Sequence, residues 1–225
     1  MTLLATSLTQ RRTRTKYQKN VKSPSLNMLK PGKQNAKLGD KVTVKMWQGL
    51  PMYSLTLEER MSCPDYCAQW DNCYGNNMPF GHRFDHTDPA FIPLLKDNIQ
   101  QLLHKHKQGI VIRLHVLGDF FDIDYCLFWV SMLLENPMLK VFGYTHHALT
   151  TDMGQAVNAI NKITPTQARI RFSDDYTTEF SAYTETTQPA SSNGIYCPEQ
   201  TGKTDSCATC GYCWSSEKPV IFIEH

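Results

Sequence analysis

The chain has 225 residues, 41% of them hydrophobic, and a formal net charge of +2, which suits a single core of ordinary size and excludes a disordered protein. Nowhere do eighteen apolar residues run together, so a membrane-spanning helix is excluded, and Met1 to Gln10 holds no apolar run of signal-peptide length, so the expected compartment is the cytoplasm. Thiols stay reduced there, and eight cysteines then point to metal or redox chemistry ahead of disulfides.

The small net charge conceals an asymmetry. Residues 1–46 carry eleven Lys/Arg against one acid, Asp40, and the remainder carries twelve against twenty. The first stretch is poor in large apolar residues and cannot offset its ordering entropy by burial, so residues 1–40 read as a basic flexible arm and residues 41–225 as a single α/β domain. Such an arm can hold nucleic acid through counterion release, or serve as a solubilising tail.

In chain order, Val42 to Trp47 reads as a first strand. It leads to a loop from Ser62 to Arg83 in which Cys63, Cys67 and Cys73 stand in a Cys-x3-Cys-x5-Cys array. Pro64, Asp65, Asp71, Asn72, Gly75 and Pro79 break helices and strands there, so a metal centre is what would fix the segment's shape. Pro89 to Lys107 has helical apolar spacing behind Asp88, and Ile110 to Leu117 reads as a strand ending in Gly118-Asp119. A helix from Asp122 to Glu135, with Cys126 in its core face, a strand from Leu139 to Thr145, a helix from Asp152 to Lys162 and a strand from Ala168 to Ser173 follow. Val220 to Ile223 is a last short strand. The alternation predicts βαβ units and a parallel sheet.

Two of these strands have a polar face. Arg113 and His115 oppose Ile112, Leu114 and Val116, while Arg169, Arg171 and Ser173 oppose Ile170 and Phe172. If the apolar faces pack on helices, the polar ones line a cavity, as in a partial parallel (β/α) barrel of about six strands with cysteine-rich metal-binding loops. Ligands of parallel α/β folds sit at the carboxyl ends of the strands. Those ends carry Gly118-Asp119, Thr145-His146-His147 and Ser173-Asp174-Asp175, on the rim that also bears the three-cysteine loop. Arg113, His115, Asp119 and Arg171 are therefore the candidate catalytic residues, and Gly118, Asp119, His146, Ser173 and Asp174 the candidate cofactor contacts.

A second array, Cys197-Pro198 followed by Cys207-x2-Cys210-x2-Cys213, does not divide into the paired knuckles of a zinc site. Three thiols at x2 spacing with a remote Cys-Pro match the ligand run of a [4Fe–4S] cluster. The first array offers three thiols, so a [4Fe–4S] cluster there would keep one iron open to a small molecule. Structural zinc is the alternative for both arrays.

Cys63-Pro64, Cys73-Tyr74, His115 to Phe121, Tyr144-Thr145-His146, Arg171-Phe172-Ser173, Cys207-x2-Cys210-Gly211-x-Cys213-Trp214 and Val220-x-Phe222-x-x-His225 together resemble the phage gene product 88 family, over roughly residues 41–225. That resemblance implies a phage context and no reaction. More remotely, a three-cysteine loop after the first strand and a Gly-containing motif after the second resemble radical S-adenosylmethionine (SAM) enzymes. This second resemblance implies Cys63, Cys67 and Cys73 as cluster ligands and Gly118-Asp119 at the SAM amino group, although the spacing departs from that group's Cys-x3-Cys-x2-Cys. Two classes of function follow: a two-cluster iron–sulfur enzyme of unnamed substrate, or a zinc-stabilised, non-enzymatic protein that binds nucleic acid through residues 1–40. A redox module is a third.

Overall fold

A computed structural model describes residues 13–44, 46–174, 181–185 and 194–223. Residues 1–12 of the expected arm, Asp175 and His225 lie outside the described residues.

The elements in chain order are β1 (Val21–Lys22), β2 (Lys30–Pro31), β3 (Met52–Ser54), α1 (Glu59–Ser62), β4 (Arg83–Phe84), α2 (Phe91–Lys105), β5 (Ile110–Leu114), α3 (Ile123–Glu135), β6 (Leu139–Thr145), α4 (Asp152–Ile163), β7 (Ala168–Ser173), β8 (Ser181–Glu185), β9 (Ile195–Tyr196), α5 (Cys207–Cys210), α6 (Tyr212–Ser215) and β10 (Val220–Ile223). The main sheet runs β2-β3-β5-β6-β7-β8-β10-β9. Only the β2–β3 pair is antiparallel. The protein is thus α/β, with a mostly parallel sheet whose strands alternate with helices. Among the described residues β2 and β9 stand as sheet edges, so no barrel closure is seen.

Setting aside β4, which pairs with β1 in a separate sheet, β3, β5, β6, β7 and β8 lie side by side in chain order, so the helices α2, α3 and α4 gather over one face. Their apolar stripes meet the predicted apolar strand positions: Ile112, Leu114, Ile170 and Phe172 share a core with Leu95, Ile99, Trp129, Leu133, Val157 and Ile160. Cys126 is buried in that core, as its helical neighbours implied. Asp122 caps α3 by accepting from the Tyr125 N–H at 2.6 Å, and Thr151 caps α4 by accepting from the Gly154 N–H at 3.0 Å.

The opposite face is covered by the carboxyl-terminal cysteine segment. Ala208 and Trp214 pack with Met52, Val111 and Phe142, and with Leu38, Val42 and Leu50 from the amino-terminal stretch. The face expected to be wet is therefore partly dry.

Two expectations change here. Val42 to Trp47 is not a strand: the Val42 N–H donates to Leu50 at 3.0 Å, the Gly49 N–H donates back to Val42 at 2.8 Å, and Trp47 turns at positive φ. The first core strand is instead β3, five residues on. Residues 13–40, expected as a flexible arm, are packed. Met28 is fully buried, Leu29 and Leu38 are nearly so, and β1 and β2 pair with β4 and β3. A few well-placed apolar residues anchor a stretch whose average composition is that of a free tail.

Candidate functional site

Backbone pairing continues past β3 and β5. Leu55 donates to Arg113, Val116 to Leu55, and Leu57 to Leu117, at 3.2, 2.9 and 2.9 Å. This brings α1 and the three-cysteine loop beside Gly118-Asp119. Gly118 adopts φ +90°, and a Cβ there would sit 2.5 Å from Ser62 Oγ and 2.7 Å from Leu57 Cβ, so the close approach requires glycine.

The two cysteine arrays open onto one cavity of about 440 Å³. Cys63, Cys67 and Cys73 line it from one side, and Cys197, Cys207 and Cys213 from the other. Arg113, His115, Gly118, Tyr144, His146 and Ser173 also reach it. Cys210 does not line the cavity and packs near Cys197 and Cys213 with Tyr212 and Val220. Among the described residues no three His, Cys, Asp or Glu side chains are grouped to hold a single metal ion.

The thiols nonetheless form a set of donors suited to a cationic centre. Burial, and then the charges of Asp119, Cys67 and Cys73, push the Cys63 thiol well up. Burial pushes Cys67 up to about 12 and raises Cys73. Cys207 is raised by burial and then by Cys213. Raised in this way the groups are neutral thiols at pH 7, and only a nearby positive charge would make them thiolates. By residue type alone the first array offers three thiols and the second four, counting Cys210, which lies off the cavity.

The remaining predicted residues fall in different places. Asp119 is buried; its Oδ1 accepts from the Phe120 N–H and its Oδ2 from the His146 N–H, both at 2.7 Å, so it ties the end of β5 to the end of β6. His146 Nε2 lies 3.8 Å from Asp174 Oδ2 at the rim. His115 does not share the face of Arg113 as alternation predicted. The strand ends at Leu114, and His115 Nε2 meets the Tyr125 hydroxyl of α3 at 2.9 Å. Burial, with Arg113 and His86, drives its pKa down to about 3, so it is a neutral imidazole.

Arg171 has a different task from the ligand contact expected. It is fully buried, and it donates to the carbonyls of Cys213, Ser216 and Lys218 at 2.9, 2.6 and 3.0 Å. It thereby binds the carbonyl end of α6 and anchors the second array. Arg113 does face the cavity. Its guanidinium lies 4.3 Å from the Tyr144 ring centre and 5.4 Å from that of Phe142, and its Nη1 is buried without a hydrogen-bond partner among the described residues.

Several residues that shape the site were not assigned a role there from the sequence. Arg83 is fully buried and pairs with Glu59 through Nε–Oε2 at 2.7 Å and Nη2–Oε1 at 3.1 Å. It also donates to the carbonyls of Gly75, Met78 and Gly81, holding the loop beyond Cys73. Tyr144 donates its hydroxyl to Cys213 Sγ at 2.8 Å. The amino-terminal stretch spans both arrays. Arg14 and the Thr15 N–H donate to Glu58, Thr15 Oγ1 donates to Glu59 and Tyr17 to the Asn76 carbonyl, while Lys37 and Leu38 accept the N–H groups of Cys207 and Ala208. Only spatial pairing reveals these contacts, since none has a periodicity.

No helix among the described residues is long and apolar enough to cross a membrane. No curated protein and no solved structure matches the chain significantly. The family described as gene product 88 matches residues 25–192, which takes in β2, the first cysteine array and strands β3 to β8, begins inside the supposed arm and stops before Cys197. With more than half its length matched, from the packed amino-terminal stretch through the strands that build the cavity, the chain belongs to the gene product 88 family.

Proposed function

We propose that this protein is an iron–sulfur enzyme whose chemistry takes place in the cavity between its two cysteine arrays. One observation carries the reading. Six thiols from loops far apart in sequence line a single cavity at the carboxyl ends of parallel strands, together with Arg113, His115, Gly118 and Tyr144. A concave space with a few convergent polar groups is the usual form of a small-molecule site. Cys63, Cys67 and Cys73 would hold a [4Fe–4S] cluster with an open iron, and Cys197, Cys207, Cys210 and Cys213 a second, fully ligated one. A radical-SAM type of chemistry accords with three thiols beside Gly118-Asp119. Asp119 then positions rather than reacts, since both its oxygens are engaged by backbone N–H groups.

The test is anaerobic purification with iron, sulfide and zinc analysis, followed by electron paramagnetic resonance before and after adding SAM. The expected result is iron and sulfide for two clusters and a SAM-dependent change in one signal. Stoichiometric zinc without iron would overturn the reading. It would support instead a zinc-stabilised protein, for which the apolar packing of Cys197, Cys210 and Cys213 is the favouring observation. Salt-sensitive nucleic-acid binding lost on removal of residues 1–12 would complete that alternative.

A further inference from the structure

We propose that Arg113 is the anion-recognition point of the cavity and that the molecule it takes is a small organic acid or phosphate, whose anionic group bonds the free edge of its guanidinium. This rests on the cavity being a reaction site, the reading given above, and adds the class of its occupant. Four observations support it.

First, Arg113 is placed by a rigid element. It lies in β5, paired with Ser54 of β3 on one side and Phe142 of β6 on the other. Second, its plane is held by aromatic contact with Tyr144 and Phe142, at 4.3 and 5.4 Å, which orients a guanidinium without consuming its donors. Third, the half-buried Arg113 side chain lines the cavity, and its Nη1, which has almost no accessible surface of its own, has no hydrogen-bond partner among the described residues. A buried guanidinium nitrogen without an acceptor is costly, and buried arginines of this protein avoid that cost: Arg83 meets Glu59 and three carbonyls, and Arg171 meets three carbonyls. Fourth, no salt bridge joins Arg113 to a carboxylate among the described residues. The cavity has a volume of about 440 Å³, which the cysteine arrays and any group they hold share with the occupant of Arg113. A planar donor fork facing such a space is complementary to a carboxylate or a phosphate.

The test uses the full-length protein purified anaerobically with its metal content measured. Inorganic phosphate and succinate serve as probes, and binding is read by titration calorimetry and by the rise in melting temperature. At least one probe is expected to bind the wild-type protein saturably. Arg113→Lys, which keeps charge but loses the fork, should weaken that binding about tenfold or more, and Arg113→Met should abolish it, with metal per chain unchanged in both. Three outcomes would overturn the proposal: neither probe binds wild type, Arg113→Met binds as well as wild type, or either variant folds but loses metal, in which case the guanidinium serves the metal centre. Should Arg113→Met fail to fold, Arg113→Lys alone decides. A protein that binds a probe through Arg113 yet contains no iron would sink the iron–sulfur reading and leave this one standing.

Discussion

Glu59 and Arg83 are both buried, and the ion pair between them stands next to the cavity. Taking one partner away leaves the other as an uncompensated buried charge, a loss of roughly 3–5 kcal/mol. Arg83→Leu should therefore lower the urea midpoint sharply and free the loop after Cys73, whereas Arg83→Lys should recover only part, since one ammonium cannot reach both carboxylate oxygens and three carbonyls. Equilibrium unfolding of the two variants checks this. Tyr144 acts on the opposite wall. Its hydroxyl bonds Cys213 Sγ, and Tyr144→Phe removes a donor that stabilises extra negative charge on sulfur. On the proposed iron–sulfur reading, the cluster assigned to Cys213 should then show a more negative reduction potential, read by redox titration, with metal content unchanged. For His115 the sign follows from burial. Its folded pKa, near 3, lies below the unfolded value of 6.5, so its contribution to stability is full above about pH 7 and is lost as pH falls toward 3. His115→Gln should flatten the decline in melting temperature between pH 7 and pH 4.5, where wild type loses up to about 1.4 kcal/mol per pH unit from this residue.

At the scale of elements, the amino-terminal stretch from Arg14 to Leu38 acts as a strap across both cysteine arrays, not as a free arm. Deleting residues 1–20 should thus reduce thermal stability and, on the proposed reading, lower metal retention at the first array, measured against an Arg14→Ala variant that removes the Arg14–Glu58 pair alone. Arg171→Met is expected to unseat α6, because three carbonyls lose their donor at once; the loss should exceed about 3 kcal/mol and, on the proposed reading, release metal from the second array first. The strands and helices between Pro89 and Ser173 were legible because long periodic stretches report which face is buried. Strands β6, β7 and β10 fall on the residues that periodicity indicated. The Val42–Trp47 stretch misled because β-branched residues also suit the walls of a folded-back turn, and Trp47 and Gly49 close that turn. The two arginines show the same limit at the site. Alternation correctly puts Arg113 and Arg171 on the non-helical face, but the identity of their partners depends on where α6 docks, which no local pattern encodes.

Across the whole molecule, the cavity is a joint product of both halves of the chain. Lys37, Leu38 and Gly39 clasp α5, and a Cβ on Gly39 would come within 2.6 Å of Ser206 Oγ, so even a methyl group at that junction would press the second array away. The strand order adds a temporal consequence. β9 is synthesised before β10, yet in the sheet its pairing is to β10, which inserts between it and β8. During translation β9 therefore emerges with no neighbour to join, and Cys197, which follows it directly, stays unplaced until Val220 to Ile223 have left the ribosome. The first array, whose framing strands β3 and β5 are made much earlier, has its surroundings ready by then. Assembly on the ribosome thus has a built-in order in which one wall of the chamber waits, open to solvent, for the other to arrive.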